Sequence, residues 1–183
     1  MNTGETMRSP IGKLFYVAGV TTFCTFLGCW ALLAHQETSQ STKKAASDEQ
    51  FAKKAAQGGL AEVKMGELAQ QKGTNEAVKK FGQRMAEDHT KAGEELKQAA
   101  MKENITLPTD LDTKDQATYD ALSKLSGPAF DRAYARDMVK DHEQDIAEFK
   151  REANSGKNES IKNFAAQTLP TLEDHLKEAR EMM

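Results

Sequence analysis

Two stretches of this chain carry the same side chains in the same order. Phe81-Gly-Gln-Arg-Met85-Ala-Glu-Asp88-His89 and Tyr134-Ala-Arg-Asp-Met138-Val-Lys-Asp141-His142 both read aromatic, three residues, Met, two residues, Asp-His. At helical period each methionine lies one turn before its histidine on a single face. A thioether beside an imidazole suits a soft or borderline transition ion, copper(I) above all. A third Asp-His pair, Asp174-His175, falls on a later apolar stripe with Thr168 and Leu172. The metal reading takes Met85, His89, Met138 and His142 as ligands, with His175 or Glu62 completing the set. Asp88, Asp141 or Asp174 would accept hydrogen bonds from the imidazoles behind it.

Other readings compete for the same residues. Methionine at a helix seam commonly fills core gaps, and a seam histidine commonly hydrogen-bonds a carboxylate or hydroxyl in a structural network. Three histidines in one seam could also act as a pH-responsive element, since protonation would load the core with charge. The residues three before the histidines are Ala86, Val139 and Leu172, so the Glu-x-x-His pattern of carboxylate-bridged di-iron bundles is absent. Acidic residues are spread around every helix and read as solvated faces. No carboxylate pair stands out as acid and base, and there is no nucleophile elbow or phosphate loop. The expectation is a protein that is not an enzyme.

The elements that would position these residues are legible from punctuation. With 183 residues, 29% charged, four prolines and a net charge of −3, the chain suits one all-α domain of packed amphipathic helices. Lysines come as scattered pairs, Lys43-Lys44, Lys53-Lys54 and Lys79-Lys80, so the basic patch of a nucleic-acid binder is missing. A first helix is predicted from the Ser47-x-x-Gln50 capping box to Gly73. A second follows from Thr74 or Asn75 to Asn104, a short one is capped by Thr113, a third runs from Pro128 to Ser155, and a fourth from Asn158 with Pro170 inside it. Tight joints at 73–74 and 156–157 make two antiparallel hairpins, and the segment between them is long enough to cross a whole bundle. That is a ferritin-like four-helix bundle. His89 and His142 then stand equally far along parallel helices, His175 within a turn of His142. Reflection through the first joint sets Gly58-Gly59 opposite His89, and Glu62 opposite Met85.

The N-terminal part is of another kind. Residues 1–13 form a basic flank, and Leu14 to Ala34 carry no charge, a length that matches one hydrophobic membrane-spanning helix. Tyr16 and Trp30 stand near its ends, and Arg8 and Lys13 precede it, which orients the rest away from the cytoplasm. A cleaved signal ending at Ala31 or Ala34, or a weak lipoprotein site at Gly28-Cys29, competes with an uncleaved anchor. All three imply export to the periplasm or cell envelope. Residues 35–47 read as a solvated linker without regular structure, leaving 48–183 as the bundle domain. Both cysteines, Cys24 and Cys29, lie in the apolar run, so the bundle can hold neither disulfide nor thiolate site.

Several runs also resemble a known family. They include Phe51-Ala-Lys-Lys-Ala-Ala-Gln-Gly-Gly-Leu-Ala-Glu62, Ile105-Thr-Leu-Pro108, Leu125-Ser-Gly-Pro-Ala-Phe-Asp-Arg-Ala-Tyr134 and Ile161-Lys-Asn-Phe-Ala-Ala-Gln-Thr-Leu-Pro-Thr-Leu-Glu-Asp-His175, besides the two Met-His stretches. Over about residues 48–182 the chain is similar to bacterial envelope proteins grouped as domain of unknown function 4142 and labelled membrane or outer-membrane proteins. The resemblance implies a ferritin-like bundle in the cell envelope and supplies no activity. The expected function is a membrane-associated, non-catalytic interaction or stress-related module, with an unidentified protein partner or oligomer. The alternative is a metal-binding bundle, copper favoured over other transition metals, serving sequestration or delivery.

Overall fold

The computed structural model describes the backbone of residues 27–183 and the side chains of residues 47–183. The basic flank, most of the apolar run 14–34 and both cysteine side chains lie outside them. Among the described residues there are five helices: α1 Leu27–Lys72, α2 Glu76–Lys102, α3 Thr113–Ser123, α4 Gly127–Ser155 and α5 Glu159–Glu181. Among the described residues there is no strand, and no helix is long and apolar enough to cross a membrane. The chain divides into two units, 1–36 and 37–183, and every described side chain belongs to the second.

Helix α1 starts well before the capping box at Ser47 and runs through residues 35–47, where the polar composition predicts a linker. That stretch holds neither proline nor glycine, so nothing in it interrupts the hydrogen-bond ladder. The other boundaries follow local chemistry. Asn75 caps α2, its side chain accepting from the Ala77 N–H at 2.9 Å. At the other end of α2, Asn104 takes φ 56°. There the Ile105 N–H reaches the Ala100 carbonyl at 2.9 Å and the Asn104 N–H reaches Met101 at 3.3 Å, the paired closure of a Schellman motif. Asp112, not Thr113, caps α3, accepting from the Asp115 N–H at 2.8 Å; a carboxylate is the stronger acceptor for a helix N-terminus. Pro128 sits in the first turn of α4 and Pro170 lies inside α5.

The two joints are held from outside. Asp131 of α4 accepts from the backbone N–H groups of Thr74 and Asn75, each at 3.0 Å, and from the Thr74 hydroxyl at 2.5 Å. Asp48 of α1 accepts from the N–H groups of Lys157 and Asn158 at 2.6 and 2.7 Å. Each hairpin thus lends a carboxylate to the orphan amides at the other's turn, where the positive end of the helix dipole favours it. Neither Asn158 nor Ser126 makes a side-chain cap bond of its own, so Asp48 does the capping at α5.

Inside, α1 and α2 touch backbone to backbone. A Cβ added at Gly66 would come within 2.5 Å of the Gly82 carbonyl, and one at Gly82 within 2.7 Å of both the Ala69 Cβ and the Gly66 carbonyl. Two apolar clusters form the core. One gathers Met65, Phe81, Met85, Phe130, Tyr134 and Met138; the other Phe51, Leu96, Phe149, Ile161, Phe164 and Leu172. Along α2, α4 and α5 the passage from one cluster to the other goes through His89, His142 and His175 respectively, all buried.

Candidate metal centre

Three helices bring three imidazoles to one level. Ring centroids are 5.9 Å apart for His89 and His142, and 5.4 Å for each of them to His175. One ring nitrogen from each can be chosen so that all three lie within 4.8 Å of one another. From α1, Glu62 enters the same layer fully buried, its Oε2 3.0 Å from His89 Nε2 and 3.6 Å from His142 Nε2. The first is an ion pair when His89 is protonated. Both Glu62 oxygens, His89 Nε2, His142 Nε2 and His175 Nδ1 are buried with no hydrogen-bond partner.

The remaining nitrogens fix which atoms are free. His142 Nδ1 lies 2.9 Å from the Met138 carbonyl, which can only accept, so Nδ1 carries the hydrogen and Nε2 the lone pair in the neutral ring. His175 Nε2 lies 2.8 Å from Asp88 Oδ2. Burial works against ionised Asp88, but the hydrogen bond and charge of His175, with Arg84 behind, hold its carboxyl below the usual range. Burial, reinforced by His89 and His142 and opposed by the Asp88 hydrogen bond, pushes His175 down to about 4. At neutral pH this is a neutral imidazole donating Nε2–H to a carboxylate, which leaves Nδ1 as an open donor atom. Arg84 steadies Asp88 at 3.2 Å and pairs with Glu178 of α5.

Burial alone would raise Glu62, but the charges of His142 and His89 outweigh it and hold the carboxyl at about 2. Burial likewise opposes charge on His89, yet Glu62 outweighs it and raises the imidazole. The ionised Glu62 acts on its neighbours on α4. Burial and that charge push Asp141 up to about 9 and Asp145 to about 7, and raise Asp137. Tyr134 is raised by the same causes, its hydroxyl buried without a hydrogen-bond partner.

Helical spacing locates most of the layer. His89, His142 and His175 meet as the hairpin geometry predicts, and Gly59 rather than Gly58 faces His89, a Cβ there standing 4.0 Å from Nδ1. Glu62, expected across from Met85, reaches one turn further to His89. Met85 and Met138 are fully buried in the apolar cluster with Phe81 and Tyr134. Of the three candidate acceptors, Asp88 holds His175, Asp141 leans on Glu62, and Asp174 is exposed on α5. The residues missed are Asp137 and Asp145. With Asp141 they recur every fourth residue along α4, beside the Met138–His142 stripe, and that period was the available signal.

No curated protein and no solved structure matches the chain. The model of one family does match, over residues 33–182, nearly the whole of the helical region that builds this layer. The chain therefore belongs to the family described as domain of unknown function DUF4142.

Proposed function

We propose that the domain is a binding module for a divalent transition ion, held by His89 Nε2, His142 Nε2 and His175 Nδ1 with the Glu62 carboxylate as fourth ligand. One observation carries this reading: five buried nitrogen and oxygen atoms of four residues lie in one layer with no partner beyond the contacts that Glu62 makes with His89, His142 and Asp141. Buried polar atoms are nearly always satisfied, so a cluster of unsatisfied ones asks for an ion or water. Bonds of about 2.0–2.1 Å require nitrogens about 3.3 Å apart around a tetrahedral ion, so the imidazoles draw in slightly on loading. Met138's carbonyl and Asp88 are the outer acceptors that orient two of the rings.

Three imidazoles and a carboxylate form a borderline donor set. On affinity alone copper(II) leads and zinc follows, which keeps copper as the favoured ion but on imidazole rather than thioether chemistry. Met85 and Met138 stay in the core in this reading. A ferritin-like arrangement of the two hairpins, with residues 103–126 crossing between them, is supported by the reciprocal carboxylate caps and by the shared histidine level. Placement in the cell envelope, tethered or exported, is supported by the apolar run 14–34.

The test is titration of the purified full chain with Cu(II), Zn(II), Ni(II) and Fe(II) while following thermal unfolding. At a 100-fold excess over the dissociation constant, binding adds about 2.7 kcal/mol. The variant His89→Gln/His142→Gln/His175→Gln loses that gain. No shift with any of the four ions in the wild-type chain would overturn the proposal.

A further inference from the structure

A cleft of about 580 Å³ opens beside the histidine layer, between α1, α2 and the 105–109 loop, with Phe149, Phe164 and Leu172 of α4 and α5 at its floor. That is the size range of small-molecule sites. Its walls are short of side chain in a telling way: a Cβ added at Gly93 would meet nothing within 4 Å, and at Gly59 only His89 Nδ1 at 4.0 Å. Glycine there leaves space that a larger residue would fill. The floor is the edge of the buried cluster of Leu96, Phe149 and Leu172, and the walls add Leu60, Val63, Ile105 and Leu107, only partly buried, apolar surface whose hydration is unfavourable by about 25 cal/mol per Å².

One polar group at the inner end is unaccounted for. His142 donates Nδ1–H to Met138, and His175 donates Nε2–H to Asp88. His89 turns Nε2 toward Glu62 and the layer, while its Nδ1 faces Gly59, which lines the cleft with it. Among the described residues no group accepts from Nδ1. An imidazole bound to a metal through Nε2 carries its hydrogen on Nδ1 and wants an acceptor there. Asp145 also lines this end, and the rest of the lining is mainly apolar, which suits an uncharged body carrying one hydrogen-bond acceptor.

We propose that the cleft binds a neutral lipophile, its apolar body on Leu96, Phe149 and Leu172 and a carbonyl oxygen accepting from His89 Nδ1–H. This rests on the metal reading, because metal on Nε2 is what makes Nδ1 a permanent donor.

The probe is prodan, a neutral naphthyl ketone whose fluorescence reports both burial and hydrogen bonding of its carbonyl, added to the zinc-loaded full chain. Expected are one blue-shifted prodan per chain and displacement by 2-undecanone roughly tenfold better than by undecane, the scale of one hydrogen bond gained. Gly93→Leu, which fills the mouth from an exposed helix position, should abolish binding while leaving zinc uptake unchanged. Retained binding in Gly93→Leu, or displacement by undecane as good as by the ketone, overturns the proposal. Metal uptake followed by thermal shift separates the two claims: zinc that loads while prodan stays free sinks the cleft alone, and a chain that takes up none of Cu(II), Zn(II), Ni(II) and Fe(II) sinks both.

Discussion

The hairpins α1/α2 and α4/α5 are built alike and furnished differently. Each turns at a short joint, and each has that joint capped by an aspartate of the other, Asp131 for the first and Asp48 for the second. Each contributes two residues to the central layer. The first supplies a carboxylate held at about 2 and an imidazole raised by it, Glu62 and His89. The second supplies two imidazoles, His142 and His175, the latter pushed down to about 4. The first also closes on itself through glycine, at Gly66 and Gly82. The repeated Met-x3-His framework fixes the level of the side chains, while the partners chosen around it decide their charge.

The glycine contact is the sharpest difference, and breaking it should cost most. Gly82→Val drives a branched side chain against the Ala69 Cβ and the Gly66 carbonyl, both 2.7 Å from the first added carbon. Backbone cannot swing aside as a flexible side chain can. Urea unfolding should show a loss of about 3 kcal/mol; a loss under 1 kcal/mol would mean the hairpin can open at no cost.

The reciprocal caps come next and test whether the two joints are equivalent. Asp48 is buried and Asp131 half-buried, and hydrogen bonds in low dielectric are the stronger. Asp48→Ala should therefore cost about 2 kcal/mol and Asp131→Ala about 1 kcal/mol. Burial opposes the charge on Asp131, but its bonds from Thr74 and Asn75 lower its carboxyl overall. Its contribution is thus complete above the unfolded value of about 3.9 and is lost as pH falls through the lower folded value. Chemical denaturation at pH 7 and pH 2.5 should show a smaller Asp131→Ala penalty at the second than at the first.

The acidic stripe on α4 works in the opposite sense. Asp141, raised to about 9, keeps its proton in the folded chain across a range where the unfolded chain has released it, so stability falls as pH rises from about 4 toward 9. Asp141→Asn removes that slope. The variant should gain about 1 kcal/mol at pH 8 and nothing at pH 4; a loss at pH 8 would show the ionised carboxylate to be the form the fold needs. His175 contributes oppositely at the acid side. Neutral in the fold down to about 4, it lets stability drop as pH falls below about 6.5, where the unfolded imidazole takes a proton.

How much of this was readable in advance depends on the range of the interaction. Helix ends at Gly73, Asn75, Asn104 and Gly156 were legible because their signals are local. The common level of the histidines followed from counting residues along the helices. Glu62 was placed a turn away because counting locates a Cα, whereas a glutamate reaches further along the groove. The caps from Asp48 and Asp131 join residues more than fifty apart in sequence and leave no local trace. The half-buried carboxylates Asp137, Asp141 and Asp145 of α4 read as solvated because composition does not tell a wet aspartate from a partly covered one. Polar residues 35–47 read as linker because an all-polar helix has no apolar stripe to announce it.

Gly93 sharpens the contrast most gently, since it stands on the same helix as Gly82. Gly82 is buried against α1 and has no room; Gly93 is exposed and a Cβ there meets nothing within 4 Å. In α2 it therefore carries only the entropic disadvantage of glycine in a helix, about 0.5–1 kcal/mol relative to alanine. Gly93→Ala should raise stability by about that amount in urea unfolding. A destabilised Gly93→Ala would reveal a neighbour over the cleft mouth that closes on this glycine as tightly as α1 closes on Gly82.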